Sequence, residues 1–218
     1  MPRIALIHAL QESIAPLTAE LDRLWPECER MHLLDDSLSA DLARSPHGLA
    51  SSFDRRFAAL GEYARGTGAE AILFTCSAFG RCIEGVAQRL APLPVLKPNE
   101  AMIDEAVALG GRIGLVATFA PTLASMVGEF PGECEVHTAL ALGALEALRA
   151  GDPRRHDAII ADCAERLAQE GATVIALAQF SMARAASEVH ERTGSRVLTT
   201  VESAVRRLRA RVEARTHG

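Results

Sequence analysis

Two stretches of this chain match each other without a gap, and that duplication limits the folds the sequence can adopt. Residues 68–76 read GAEAILFTC, and residues 171–179 read GATVIALAQ. The similarity extends to an apolar stretch near the start of each half, residues 4–7 and residues 113–116. Each copy takes about a hundred residues, which is a usual size for a domain. The sequence therefore predicts two copies of one structural unit.

Each copy alternates short apolar stretches with amphipathic ones. Continuous apolar runs such as residues 71–74 are typical of strands that are buried in a parallel sheet. We predict an α/β fold of two pseudo-symmetric, Rossmann-like (flavodoxin-like) units, each with a mostly parallel four-stranded sheet flanked by helices. Two adjacent glycines, Gly110 and Gly111, mark the expected joint. The predicted halves are residues 1–110 and residues 111–218, and the C-terminal helix is free to pack back on the first half.

Composition argues against several classes of protein. The formal net charge of -5 and an aromatic content of 4% leave no basic or stacking surface for nucleic acid. No apolar run is long enough for a membrane span, and the early first strand leads us to expect no signal peptide. The five cysteines, an odd number without close pairs, indicate a reducing compartment and do not have zinc-site spacing. We expect a cytoplasmic protein without a metal.

Cys76 is the main candidate for chemistry. It follows the apolar run of residues 71–74 and precedes a predicted helix, so it lies where the carboxyl end of a strand meets the amino end of a helix. Ligands of open α/β sheets bind at that edge, where free amides and the helix dipole favour an anion and are expected to lower a thiol pKa. The alternative is a buried structural cysteine. Thr75, Ser77 and Ala78 share the turn.

Polar residues at other predicted strand ends are further candidates. In the second half, Thr118 and Thr122 lie at helical spacing around a helix start, where hydroxyls and amides can hold a carboxylate. His8 ends the first strand and could contact a ligand or merely cap the next helix. Asp35 and Asp36 follow another strand, and we prefer helix capping over metal or base chemistry for them.

The doubled unit, the turn Thr75-Cys76-Ser77-Ala78 and the segment GLVATFAPT at residues 114–122 resemble the aspartate/glutamate/hydantoin racemase superfamily. That group includes glutamate and aspartate racemases, hydantoin racemase, maleate isomerase and arylmalonate decarboxylase, and the resemblance covers essentially the whole chain. It implies a PLP-independent isomerase that needs no cofactor and acts on a small carboxylate substrate. We also expect a homo-oligomer, the common state of such enzymes.

The resemblance also implies roles for residues. Two-base racemases of this group place one cysteine in each half, and one thiolate removes the α-proton while the other thiol returns it from the far side. Cys76 matches the first of these cysteines, whereas Gln179 stands at the second position. An amide cannot transfer a proton near neutral pH. The expected substrate-binding residues are Thr75, Ser77, Ala78, Thr118, Thr122, Ser181 and His8.

Because Gln179 stands at the position of the second cysteine, several functions remain possible. The first is a racemase or isomerase of a small amino acid or dicarboxylic acid, in which Cys76 works with Ser181, His8, a substrate group or water. The second needs only one cysteine, as in a decarboxylase that protonates an enediolate or a cis-trans isomerase with covalent attack. The third is a carboxylate-binding protein without catalysis, in which Gln179 only forms hydrogen bonds.

Overall fold

The computed structural model describes residues 1–216, in which strands and helices alternate. The first part of the chain forms β1 (Arg3–His8), α1 (Ile14–Leu24), β2 (Glu29–Leu34), α2 (Ser37–Arg44), α3 (Ser51–Gly66), β3 (Ala71–Phe74), α4 (Gly80–Leu90) and β4 (Val95–Leu96). The rest forms α5 (Glu100–Leu109), β5 (Ile113–Ala117), α6 (Ala120–Val127), β6 (Val136–Leu140), α7 (Ala144–Arg149), α8 (Pro153–Gln169), β7 (Val174–Leu177), α9 (Ala186–Thr193), β8 (Arg196–Thr199) and α10 (Thr200–Thr216). Short 3-10 turns at Ser77–Phe79 and Phe180–Ala185 precede α4 and α9.

The first sheet is wholly parallel, with strand order β2-β1-β3-β4. Its two central strands are buried along almost their whole length, which explains their continuous apolar sequences. An aromatic cluster covers one face, where the ring of Phe57 lies 5.1 Å from that of Phe74 and 4.9 Å from that of Phe79. A Cβ at Gly61 of α3 would lie 2.5 Å from Cγ1 of Val86 in α4. The missing side chain lets these two helices pack closely.

The second sheet repeats the arrangement, with parallel strands in the order β6-β5-β7-β8. Buried apolar residues on both faces pack it against helices, in two separate clusters. Gly114 of β5 faces α8, where a Cβ would lie 3.1 Å from the Cβ of Leu167. The predicted α/β class with two four-stranded parallel sheets flanked by helices is confirmed.

By their internal contacts, the residues divide into two compact units that differ from the predicted halves. The first unit comprises Met1–Pro98 and the residues from Ala204 onward, and the second comprises Asn99–Ser203. Helix α5 thus lies before the glycine pair but belongs to the second unit, because its Met102 and Ala106 are part of a core with Ile113 of β5. Residues of α10 bond within the first unit, where Arg209 donates to the carbonyl of Leu24 at 2.6 Å.

The acidic pair after β2 acts largely as the sequence suggested. The carboxylate of Asp35 accepts hydrogen bonds from the backbone amide and the hydroxyl of Ser37, at the start of α2. Asp36 makes no side-chain cap bond. Residues 1–216 contain no group of three acidic, histidine or cysteine side chains placed to hold a metal ion. Within the same residues, none of the helices combines the length and apolarity needed to cross a bilayer.

The strand order defines one special position in each sheet. In the first sheet, β2 is added on one side of the central β1–β3 pair and β4 on the other. In the second sheet, β6 and β8 flank the β5–β7 pair in the same way, so each central pair is a topological switch point. Ligands of open parallel sheets bind outside the carboxyl ends of strands at such points. The residues at these ends are His8 and Thr75 in the first unit and Thr118 and Ala178 in the second.

Candidate active site

Cys76 lies directly beyond the switch point of the first sheet, between β3 and the 3-10 turn that opens α4. The residue as a whole is partly exposed, whereas its sulfur is deeply buried. The sulfur takes part in hydrogen bonds with the backbone amide of Ala78 and the hydroxyl of Ser39. Ser77 and Ala78 are themselves buried, and they shape the turn around the thiol. Cys76 thus combines a partly exposed residue with a deeply buried sulfur that has two polar partners.

The protonation of Cys76 differs from the sequence-based expectation. Burial raises the pKa of its thiol to about 11, although the Ala78 amide and the Ser39 hydroxyl both act to lower it. The cost of removing a thiolate from water therefore exceeds the stabilisation from its hydrogen-bond donors and the helix end. In the free protein Cys76 is a thiol, which suits it to give a proton rather than to attack as a resident anion.

Behind Cys76, a buried hydrogen-bond network joins the ends of β1 and β3. Nδ1 of His8 lies 2.9 Å from Oγ of Ser13 and 3.2 Å from Oγ1 of Thr75. Its Nε2 lies 3.0 Å from Nδ1 of His32 on β2. The Thr75 hydroxyl is thus engaged inside the protein, and His8 is fully buried. The structure brings His8 and Thr75 together as parts of a network that fixes the strand ends.

His8 should make stability fall in mild acid. Burial, with a smaller contribution from His32, lowers the pKa of His8 to about 3, whereas an unfolded histidine titrates near 6.5. Between these values the unfolded chain binds the extra proton, so acidification favours unfolding. From pH 6.5 to pH 5 we expect His8 to remove roughly 2 kcal/mol of unfolding free energy.

Urea unfolding of the wild type and His8→Asn at both pH values measures this loss. The variant should show a shallower decline of stability with acid, while substitution of the exposed His47 by glutamine should leave the decline unchanged. Equal declines in the wild type and His8→Asn would show that His8 is not the group responsible.

In the second unit, Gln179 is bonded to the strand end beside it. Its Oε1 accepts hydrogen bonds from the backbone amide of Thr118 at 2.6 Å and from the Thr118 hydroxyl at 3.0 Å. These are the donors that the sequence suggested for a carboxylate. The amide oxygen of Gln179 takes the place of an anion oxygen here.

Three hydroxyls near the same sheet edge are buried without a partner among residues 1–216. They belong to Thr122 after β5, Ser181 after β7 and Thr200 after β8. A buried polar group without a hydrogen bond costs about 1–3 kcal/mol. Their position at successive strand ends fits a site for a polar ligand or for ordered water.

Two polar residues of interest, Ser39 and Thr200, were missing from the sequence-based set. Ser39 reaches Cys76 from α2, and no local pattern connects residues so far apart in the chain. Thr200 could have been found, because it directly follows the last predicted strand and so lies at the same kind of sheet edge as Thr118. Strand-end position was therefore a usable signal for Thr200 but not for Ser39.

Comparison with known proteins identifies the family of this chain. The chain matches the family described as Asp/Glu/Hydantoin racemase over residues 13–208. Because the match covers most of the chain, the protein belongs to that family. No curated protein sequence matches it significantly.

Solved structures with the same fold come from several members of the group. A glutamate racemase isoform from Bacillus anthracis superposes with a TM-score of 0.80 at 14% identity, covering 98% of this chain and 82% of that one. Allantoin racemase from Pseudomonas fluorescens gives 0.69 at 20% identity, with 97% and 91% covered. A mutant of arylmalonate decarboxylase in a sulfate-associated form gives 0.67 at 17% identity, with 97% and 94% covered. At these identities the likeness establishes the shared fold.

Proposed function

We propose that this protein is a cofactor-independent racemase or isomerase that acts at the carbon α to the carboxylate of a small amino acid or dicarboxylic acid, with Cys76 as its acid/base. The observation that carries the proposal is the place of Cys76, partly exposed beyond the switch point of a parallel sheet and bonded to a backbone amide and a hydroxyl. Membership of the racemase family supports the same chemistry.

The proposed step is a proton transfer between sulfur and carbon. In one direction, the Cys76 thiol gives its proton to the α-carbon of an enediolate, the C–H bond forms from the enediolate electron pair, and a thiolate remains. In the other direction, the thiolate removes the α-proton and the enediolate forms. The Ala78 amide and the Ser39 hydroxyl stabilise the thiolate in both directions.

The substrate carboxylate needs donors that hold its charge as the enediolate forms. By the family resemblance, the expected donors of the second unit are Thr122, Ser181 and Gln179, and the hydroxyls of the first two have no hydrogen-bond partner within residues 1–216. In the first unit, the turn at Ser77 and Ala78 is suitable through its backbone. Loss of a single such donor usually costs about 2.7–4 kcal/mol of transition-state stabilisation.

Decarboxylation is a second candidate, and Gln179 favours it. Racemisation needs a proton donor on each face of the α-carbon, but Gln179 supplies only an amide where racemases of this family have their second cysteine. Its Oε1 is held by Thr118, so the side chain can act as a donor of hydrogen bonds but not of a proton. A decarboxylase needs one acid, and a thiol with a raised pKa can serve as that acid.

Proton NMR in D2O tests both candidates. The protein is incubated with a panel of small amino acids, dicarboxylic acids and substituted malonic acids. Loss of the α-proton signal without release of CO2 supports the isomerase, and release of CO2 with one deuteron added at the α-carbon supports the decarboxylase. Binding without either reaction, unchanged in Cys76→Ser, would contradict both and support a carboxylate-binding protein.

A further inference from the structure

Ser39 contacts the sulfur of Cys76 from α2, outside the set of residues that the sequence suggested. Its side chain is almost fully buried, its hydroxyl is hydrogen-bonded to the Cys76 side chain, and its Oγ lies 3.1 Å from the carbonyl oxygen of Ala9. A hydroxyl has one proton to donate and two lone pairs to accept with, and a carbonyl can only accept. While Ser39 donates to Ala9, the bond with Cys76 must therefore run from S–H to Oγ.

We propose that Ser39 is a positioning residue for the proton of Cys76. In the thiol form, the S–H donates to Oγ of Ser39, and the Ser39 hydroxyl donates to Ala9. When the thiol has given its proton to the substrate carbon, the Ser39 hydroxyl turns from Ala9 and donates to the thiolate. No bond other than S–H breaks, and Ser39 keeps its own proton throughout. This role rests on the proposed function, because it concerns the thiol that carries the reaction.

The segment that carries Ser39 is held at both ends, so the hydroxyl has a defined position. The backbone amide of Asp35 donates to the carbonyl of His8 at 3.0 Å, which ties the start of the segment to the end of β1. Arg56 of α3 forms ion pairs with Asp35 and Asp41, both at 2.7 Å. A group whose position is set by such supporting bonds needs little reorganisation when charge appears on the sulfur.

The surroundings of Cys76 make this hydrogen bond important. Within residues 1–216, the hydrogen-bond partners of the sulfur are the Ala78 amide and the Ser39 hydroxyl, and neither of them is cationic. Hydrogen bonds to a charged group are stronger than those between neutral groups, and a low-dielectric environment increases the difference. Loss of one of the two should therefore reduce the thiolate fraction by about tenfold at a given pH.

Alkylation of Cys76 by iodoacetamide at pH 8 and pH 9 tests the proposal without any substrate. The thiolate is the reacting form, so the rate follows the thiolate fraction. Mass spectrometry gives the rate at Cys76 relative to the partly exposed Cys134 of the same molecule. We expect Ser39→Ala to lower this ratio about tenfold, and Ser39→Thr, which keeps a hydroxyl, to restore most of it.

The controls separate a hydrogen-bond effect from a packing effect. If Ser39 only filled space, its truncation to alanine would open access to the sulfur and speed the labelling. Ser45→Ala removes a hydroxyl just after α2 that donates to Gly48 at 2.6 Å, and it should leave the ratio unchanged. Cys76 labelling in Ser39→Ala that equals or exceeds the wild-type rate overturns the proposal.

The role of Ser39 and the proposed function can be rejected independently of each other. Slower labelling in Ser39→Ala, with no turnover of any acid in D2O, would keep the role of Ser39 toward the thiol and reject the enzymatic reaction. Turnover that depends on Cys76, with labelling indifferent to Ser39, would keep the reaction and reject the role of Ser39.

Discussion

Replacement of Cys76 by serine is expected to reduce turnover by about 10³-fold or more, because acid/base groups contribute factors of 10²–10⁴ and no second thiol lies at the Gln179 position. Serine is close in shape and can keep the bonds to the Ala78 amide and to Ser39, so the turn should stay folded. A hydroxyl is a much weaker acid than a thiol, so it cannot hold the charge left after proton transfer. The measurement is kcat for α-deuterium exchange or for CO2 release, whichever reaction the wild type catalyses.

The matched control for this change is Cys134→Ser. Cys134 is also partly exposed, and it lies in the second unit just before β6, not after the carboxyl end of a strand. Its substitution should leave kcat within a factor of two to three, about the usual effect of a surface change. Full activity in Cys76→Ser, with unchanged thermal unfolding, would remove the thiol from the mechanism.

The second large effect is expected from Gln179→Cys. This variant places a thiol where two-base racemases of the family have their second cysteine, and it frees the amide and hydroxyl of Thr118 that now bond to the Gln179 oxygen. Those donors can stabilise a thiolate at residue 179. We expect the rate of inversion at the α-carbon to rise about 10²-fold or more relative to exchange with retained configuration, which is the contribution of one acid/base group.

Chiral chromatography of the acid recovered from D2O gives both rates. Gln179→Ala frees the same Thr118 donors but adds no thiol, so it isolates the effect of the sulfur. If the wild type already inverts the α-carbon as fast as it exchanges the proton with retention, both faces have a proton donor. That result would contradict the inference that Gln179 leaves one face without one. An inversion rate equal in Gln179→Cys and Gln179→Ala would contradict the role of the new thiol.

Much of the fold could be predicted because the sequence carries it twice. Apolar runs such as residues 71–74 and 174–177 are buried strands in the structure, and both lie at sheet centres as their composition indicated. The boundary between the two units was harder to predict from the sequence. Gly110 and Gly111 suggested a joint because glycines interrupt regular structure, but the side chains of the preceding helix pack on the second sheet. Only tertiary contacts could reveal that.

The positions of the candidate residues at strand ends were predictable from the sequence, whereas contacts with residues far away in the chain were not. Cys76, Thr118 and Gln179 follow directly from the end of a strand. The raised pKa of Cys76 was not foreseen, because desolvation depends on every element that surrounds the sulfur, whereas the helix end that acts against it is visible in the local sequence. Ser39 was not found for the same reason.

The second unit interrupts the first along the chain, and this order matters while the protein is being made. A ribosome completes the contiguous unit Asn99–Ser203 before it adds the residues from Ala204 onward, which belong with the unit begun much earlier. Until then the nascent first unit lacks Leu208 and Val212, two buried side chains of α10. The unit that starts synthesis first therefore cannot complete its core until the second unit has been made, and premature termination after Ser203 would damage the unit that carries Cys76 while sparing the other.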